Sequence, residues 1–362
     1  VDTTRGTPAL DDYPGEPQRV IPTTVWYPGD GKDAPYPLVV FVHGFGVDPD
    51  LYGELLSRIA AWGYVVVAPT YPILSGQPAG PSDTVGWDDL WSDTWFVTSS
   101  VLDLSAAGVK SLTALLEGEN LVAVLRALMT LPMPRLPLAE VTLLAPIEHQ
   151  EVWAAGVTYL RSKKARMDES EFSASAYDRV YDAERPEIFF KSLPEKVVAT
   201  GGDVGIRRDA KWNVPEPELA LVCNSRGKVV GYTIGNDMSS RDIEGENLLY
   251  LPQAKTYLKS CAVGPFITVG ASEAEARAWT IGVEIQRGRQ AIFNGETSVG
   301  QIKRTFDSLA EFLFRSQSFP HGAVLLTGTG VVPPDSFPLA AGDRVRIRIS
   351  GIGTLENPVV VV

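Results

Sequence analysis

Histidine, cysteine, basic clusters and long apolar runs are all scarce in this chain. Only three histidines, His43, His149 and His321, occur among 362 residues, which limits any chemistry that relies on imidazole as base or zinc ligand. Two cysteines, Cys223 and Cys261, rule out a disulfide scaffold. Both sit inside apolar segments and read as buried free thiols. Lys and Arg number 32 against 44 Asp and Glu, for a net charge of -12. With no basic cluster, that balance excludes a nucleic-acid surface or an anionic membrane as partner. No apolar run approaches the roughly 18 residues of a spanning helix. What remains, with a 44% hydrophobic share, is an ordinary globular protein of two or three domains, expected in the cytoplasm. The start at Val1 carries no signal-like segment and reads as processed or truncated.

The first hundred residues alternate apolar strands with an amphipathic helix. Strands are expected at Thr23–Tyr27, Pro37–Val42 and Tyr64–Ala68, with a helix over about Tyr52–Trp62 between the last two. Fully apolar strands separated by a helix predict a parallel α/β sheet. Near residue 100 the pattern changes to a strand and short helices, then a proline-studded linker. From Val152 onward come short β segments with Gly and Asn turns, and one amphipathic helix over about Ser298–Ser316. That is an α+β or β-rich arrangement.

One short stretch is chemically conspicuous. In "NVPEPELALV", Glu216 and Glu218 lie two positions apart, so a strand points both to one face, with Ala220 and Val222 continuing it inward. Two such carboxylates repel each other unless a metal, a lysine, an arginine or water intervenes. Asp237 follows at the end of the next strand, and Lys255 stands further on in "LPQAKTY". Three carboxylates without histidine or cysteine suit a hard divalent cation and disfavour zinc. Exposed strand carboxylates or a salt-bridged pair would also account for the E-x-E spacing.

Two family resemblances add to this. "PLVVFVHGFG" followed by "GYVVVAPTYP" resembles the start of an α/β-hydrolase, with His43–Gly46 at the turn that helps form that family's oxyanion hole. No G-x-S-x-G nucleophile elbow exists anywhere in the chain. The front piece is therefore expected to be a hydrolase-like fusion, or a gene-model join, without activity.

Over about residues 100–362, the ordered motifs "RPEIFFK", "PEPELALV", "GYTIGNDMSSRDIEGEN", "LPQAKTY", "GPFI" and "LLTGTGVV" resemble the fumarylacetoacetate hydrolase family. Within it the likeness is to members that dehydrate 2-keto-3-deoxy-arabinonate. The resemblance implies an α+β fold whose catalytic domain, 149–362, is a mixed β-roll or β-sandwich. A small domain at 100–148 and the partial α/β segment at 1–99 would precede it. It further implies Mg²⁺, or alternatively Mn²⁺ or Ca²⁺, held by Glu216, Glu218 and Asp237. Lys255, Glu187 and Thr329 become the catalytic candidates, and Thr158, Arg185 and Gly328 the substrate contacts. Arg241 is expected to pair with a ligand carboxylate. The implied partner is a small 2-oxo acid, and the implied assembly a homodimer.

One departure separates the reactions known in that family. Its acylpyruvate hydrolases carry G-x-N-Y-x-x-H-x-x-E, whose histidine and glutamate activate water. Here Thr158, Ser162 and Ala165 stand at the asparagine, histidine and glutamate positions. The expected reaction is therefore dehydration of a 2-keto-3-deoxy sugar acid, with Lys255 or Glu187 taking the C3 proton. Acylpyruvate hydrolysis, 2-oxo-dienoate isomerisation or decarboxylation, and a catalytically silent fusion are the alternatives.

Overall fold

The computed structural model describes residues 23–26, 38–40, 52, 55–58, 65–69, 100–131, 133–160, 179–334, 337 and 339–362. They fall into two compact units: those up to Ala106 with 133–142, and 107–131 with 143–362. The expected small domain at 100–148 is therefore divided between them.

In the first unit, β1 (Thr23–Trp26), β2 (Leu38–Val40) and β3 (Val65–Pro69) form a sheet in the order β1-β3-β2. β2 and β3 run parallel, as their unbroken apolar sequences predict. β1 instead lies antiparallel to β3, pairing Thr23 with Pro69 and Trp26 with Val66. The sheet expected to be parallel is thus mixed, with its antiparallel strand on an edge, where no crossover helix is required. β4 (Ser100–Leu102) and β5 (Arg135–Pro137) make a separate antiparallel pair. Helical structure is described at Tyr52 and at 55–58; the remainder of the expected helix and the His43–Gly46 turn lie outside the described residues.

The second unit opens with two short helices, α1 (Leu112–Leu116) and α2 (Leu121–Met129). Ser111 caps α1 by accepting from the Ala114 N–H, and Asn120 caps α2 by accepting from Ala123. Glu148 reinforces the first cap, accepting from the backbone N–H groups of Leu112 and Thr113 and from the Ser111 hydroxyl. β6 (Glu151–Gly156) and β7 (Glu187–Ser192) follow, then the short β8 (Val204–Ile206) and β9 (Asn213–Val214). Next come β10 (Pro217–Cys223), β11 (Val229–Asp237) and β12 (Ser239–Ser240). Helices α3 (Arg241–Glu246) and α4 (Leu251–Lys255) lead to β13 (Cys261–Thr268). After α5 (Glu273–Arg277) the chain forms β14 (Thr280–Arg287), β15 (Gln290–Ser298) and α6 (Phe306–Phe314). It ends in β16 (Ala323–Leu326), β17 (Asp343–Ile349) and β18 (Gly353–Val361).

Two sheets result, ordered β13-β11-β10-β16-β6-β7 and β15-β14-β17-β18-β8. Strand alternation explains how they face each other. Leu219, Leu221 and Ile234 on the first sheet share a buried cluster with Ile281, Val283, Ile285, Val345, Ile347 and Leu355 on the second. Each such side chain contributes about 1.5–3 kcal/mol when fully buried. The opposite face of β10, carrying Ala220 and Val222, packs with Val152, Val324 and Leu326 under Leu116 and Leu121 of α1 and α2. The six-stranded sheet is thereby covered on both faces, with the second sheet on one side and helices on the other.

The amphipathic helix begins later than its sequence pattern predicts. Residues up to Ser298 complete β15, and Thr305 caps α6 by accepting from the Ser308 N–H. Phe306, Leu309, Ala310 and Leu313 then form its buried stripe.

Candidate functional site

The site lies at one end of the helix-covered face of the six-stranded sheet, and strand register assembles it. Glu218 is paired with Gly235 across β10 and β11, and just before the strand the Glu216 carbonyl accepts from the Asp237 N–H at 3.0 Å. Directly opposed residues share a face, so Glu216, Glu218 and Asp237 converge. Pro217 begins β10 where only β11 flanks it, since pairing with β16 starts at Ala220. A residue without an N–H donor is tolerated there.

The three carboxylates are buried, and one oxygen from each lies within 4.8 Å of the others. Cationic side chains surround them. Lys255, 1% exposed, donates to Glu216 Oε2 at 2.8 Å, Asp237 Oδ2 at 3.0 Å and Ser239 Oγ at 2.6 Å. The Arg241 guanidinium meets Glu216 Oε1 at 2.7 Å, as its position in the motif predicts. Lys191 at the end of β7 meets Asp237 Oδ1 at 2.5 Å and donates to the carbonyls of Met238 and Lys255. Glu218 is held differently, accepting from the backbone N–H of Gly328 at 2.6 Å. Burial, reinforced by the negative charges of Asp237 and Glu216, pushes its carboxyl well above the usual carboxylate range, against the opposing pull of Lys255 and the Gly328 N–H.

The cavity in front of this cluster is lined by Ala155, Gly156, Val157, Phe189, Gly328 and Thr329, with Glu187 and Glu244 as further carboxylates. Glu187 reaches it because Gly156, its partner across β6 and β7, has no side chain. A Cβ at Gly156 would lie 2.0 Å from Glu187 Oε2. Gly328 adopts φ +88°, and a Cβ there would stand 2.2 Å from Thr158 Oγ1. Only glycine suits both the conformation and the space.

Of the residues singled out by sequence, Glu216, Glu218, Asp237, Lys255, Glu187, Gly328 and Thr329 meet around one cavity. Thr158 lies just behind, its hydroxyl donating to the Thr327 carbonyl at 2.5 Å. The Thr329 hydroxyl donates to the Val331 carbonyl at 2.9 Å. Arg185 is exposed, its guanidinium 5.5 Å from the Phe312 ring of α6, and it is not among the residues lining the cavity. Ser162 and Ala165 lie outside the described residues. Sequence reading passed over Lys191, Ser239 and Glu244. Lys191 closes the quoted motif "RPEIFFK", and its period-two relation to Glu187 and Phe189 was the available signal. Cys223 and Cys261 are buried, which pushes both thiols up to about 12 and leaves them inert.

An all-oxygen, buried, three-carboxylate cluster fits a hard divalent cation. Comparison with known proteins agrees on the class. Residues 151–360 match the fumarylacetoacetate (FAA) hydrolase C-terminal family, to which this chain belongs. Residues 14–85 match a chlorophyllase family.

Two curated relatives narrow the comparison. A probable 2-keto-3-deoxyxylonate dehydratase of Haloferax volcanii is 46% identical over 217 residues, covering 60% of this chain and 74% of that protein. The 2-dehydro-3-deoxy-D-arabinonate dehydratase of Saccharolobus solfataricus is 39% identical over 223 residues, covering 61% and 75% respectively. Among solved structures, 2-keto-3-deoxy-D-arabinonate dehydratase complexed with magnesium and 2,5-dioxopentanoate superposes with a TM-score of 0.55 at 39% identity, covering 60% of this chain and 75% of that one.

Proposed function

We propose that this protein is a hydro-lyase that dehydrates a 2-keto-3-deoxy sugar acid of pentonate size, such as 2-keto-3-deoxy-arabinonate, to a 2-oxo semialdehyde. Its divalent cation, Mg²⁺ in the first place and Mn²⁺ or Ca²⁺ as substitutes, is held by Glu216, Glu218 and Asp237. The observation that carries this reading is the buried carboxylate triad, set in a domain 46% and 39% identical to two pentonate dehydratases.

The bound cation supplies charge that draws in the substrate's carboxylate and 2-oxo group and acidifies the C3 protons. The chain's own residues do the rest. Lys255 spends three N–H donors on Glu216, Asp237 and Ser239, so it serves as a fixed positive charge that keeps two ligands in place. Glu187 faces the cavity and takes the C3 proton. The electrons of that C–H bond form the C3–C4 double bond, and the C4 hydroxyl leaves as water with the proton that Glu187 took. Moving a proton from C5 to C3 shifts the double bond to C4–C5, and the resulting enol becomes the aldehyde as its hydroxyl proton passes to C4. Thr329, with the Gly328 backbone beside it, borders the substrate, and Ala155, Val157 and Phe189 keep water from its apolar middle.

The same reading takes the protein as a homodimer and the front segment as an α/β-hydrolase-like piece without chemistry of its own, consistent with the match at 14–85. Among the described residues, no helix is long and apolar enough to cross a membrane.

The test is a panel of 2-keto-3-deoxypentonates and acylpyruvates, with and without EDTA, read by mass spectrometry. Loss of water from the pentonates, abolished by EDTA and by Glu218→Ala, is expected. Cleavage of acylpyruvates without any dehydration would overturn the proposal.

A further inference from the structure

Two of the chain's three histidines meet in the second unit, away from the cavity. The rings of His149 and His321 have their centroids 5.0 Å apart and their planes inclined at 48°. Both residues are exposed. Strand pairing brings them together: β6 and β16 run parallel, with Glu151 opposite Ala323 and Val152 opposite Val324. Continuing that register backwards sets His149 beside His321 at the entries of the two strands. At about 3.3 Å per residue, the strands carry the pair about 20 Å from the Gly156 and Gly328 end, where the carboxylate cluster sits.

One buried side chain ties the two backbones together. Gln150 is 1% exposed. Its Oε1 accepts from the N–H groups of Glu148 at 2.8 Å and His149 at 3.2 Å. Its Nε2 donates to the His321 carbonyl at 2.9 Å and to Thr113 Oγ1 at 2.9 Å. Both donors and both lone pairs of the amide are thereby used, which leaves the clamp a single orientation. Gly322 fixes the chain after His321, since it adopts φ +76° and a Cβ there would stand 2.1 Å from the Cys223 carbonyl oxygen. The imidazoles themselves make no hydrogen bond among the described residues. Glu148 does not serve them, because its carboxylate accepts from Ser111, Leu112 and Thr113.

Paired imidazoles with free nitrogens suit a borderline transition metal ion, whereas Mg²⁺ takes oxygen ligands. Bonds of about 2.0–2.1 Å to a tetrahedral zinc ion set the centres of two imidazole rings about 5 Å apart. The observed separation is 5.0 Å, and the broad χ2 preference of histidine lets exposed rings turn toward one point. We propose that His149 and His321 form a second cation site, which takes Zn²⁺ or its neighbours Ni²⁺ and Cu²⁺, with water completing the coordination. The ion clips together the starts of β6 and β16, whose far ends carry Gly156 and lead to Gly328.

The experiment uses the full chain without a histidine tag, saturated with Mg²⁺ so that the carboxylate cluster is filled. Calorimetry titrates Zn²⁺ into wild type, His149→Ala, His321→Ala, the double variant and His43→Ala. Wild type and His43→Ala are expected to bind one Zn²⁺ per chain beyond the Mg²⁺. Each single variant at the pair should lose about 10–100-fold in Zn²⁺ affinity, at least the loss that follows when a ligand's supporting partner is removed. The double variant should bind none. Ni²⁺ and Cu²⁺ should follow the same pattern, with Cu²⁺ held most tightly. Zn²⁺ should raise the Tm of wild type and leave that of the double variant unchanged. Mg²⁺ affinity should differ by less than about twofold across the set, because the two sites are far apart and share no partner. Glu218→Ala, which impairs the carboxylate cluster, should keep the zinc site.

Zinc binding that survives the double variant would overturn the proposal, as would its loss in His43→Ala or in Glu218→Ala. A wild type that takes up no ion beyond Mg²⁺ would overturn it as well.

Discussion

Glu216 and Glu356 each meet two cationic side chains, the first at the entry to the six-stranded sheet of the second unit and the second on its five-stranded sheet. Glu216 is held by Arg241 and Lys255, and its side chain is 4% exposed. Glu356, on the outer face of the five-stranded sheet, is held by Arg344 and Arg346 and is 26% exposed, with its cations 47% and 44% exposed. Burial by itself would raise the Glu356 carboxyl, but its hydrogen bonds from Arg346 and Arg344 hold it below the usual range. The contact geometry is alike, and the surroundings decide what it means. In water such a pair contributes little beyond a fraction of a kcal/mol. In the interior each ion has lost its hydration, so removing one partner strands the other. Buried ion groups of this kind belong to sites where charge has work to do on a ligand.

Lys191→Met should separate the two regions most sharply. It removes a cation from Asp237 where neither side chain is more than 1% exposed, and should cost the metal-free protein about 3–5 kcal/mol, seen as a lower urea midpoint. Gly156→Ala acts on position rather than charge. Its Cβ would displace the Glu187 carboxylate, and kcat/KM should fall about 100-fold with little change in Mg²⁺ affinity.

A third prediction uses pH. In the metal-free protein burial lifts the Glu218 carboxyl, so folding retains a proton that the unfolded chain would release. The stability tied to this group is present below the ordinary carboxylate value and is lost as pH rises through the folded value. Mg²⁺ must displace the same proton, so its affinity should climb by up to about tenfold per pH unit across that window. The melting temperature gained on adding Mg²⁺ should therefore widen with pH; a gap that stays constant would contradict the shared proton. The smallest effect belongs to the outer sheet. Glu356→Gln should change stability by no more than about 1 kcal/mol, and by less in high salt.

Much of the site could be read along the chain because its information is local. The E-x-E spacing on β10 fixes a shared face, and the alternation of Leu219 and Leu221 with Ala220 and Val222 shows which sides are buried. Arg241, four residues after Asp237, was also within reach. Lys191 was legible only in part. The period of two puts it on the face of Glu187 and Phe189. That it touches Asp237, more closely than Lys255 does, follows only from the order of the strands in the sheet. The apolar pattern runs on from the tail of β15 into α6 without a break, and the cap at Thr305 marks where the helix starts. In the first unit, apolar strands predicted a parallel sheet, yet the direction of β1 depends on pairing that composition does not encode.

The sequence by itself determined that Glu216 and Glu218, a period of two apart, point one way, and that the carboxylates near them come without histidine or thiol. It also excluded a water-activating His–Glu pair and a nucleophilic serine elbow, since those require residue types in a local pattern. The tertiary structure decided which cations hold the carboxylates, that Gly156 makes room for Glu187, and that Glu244 and not Arg185 borders the cavity. Local periodicity is set by neighbouring residues and can be read from them. Convergence of β7, β10, β11, α3 and α4 is set by how two sheets bury their shared faces, and only the folded chain contains that answer.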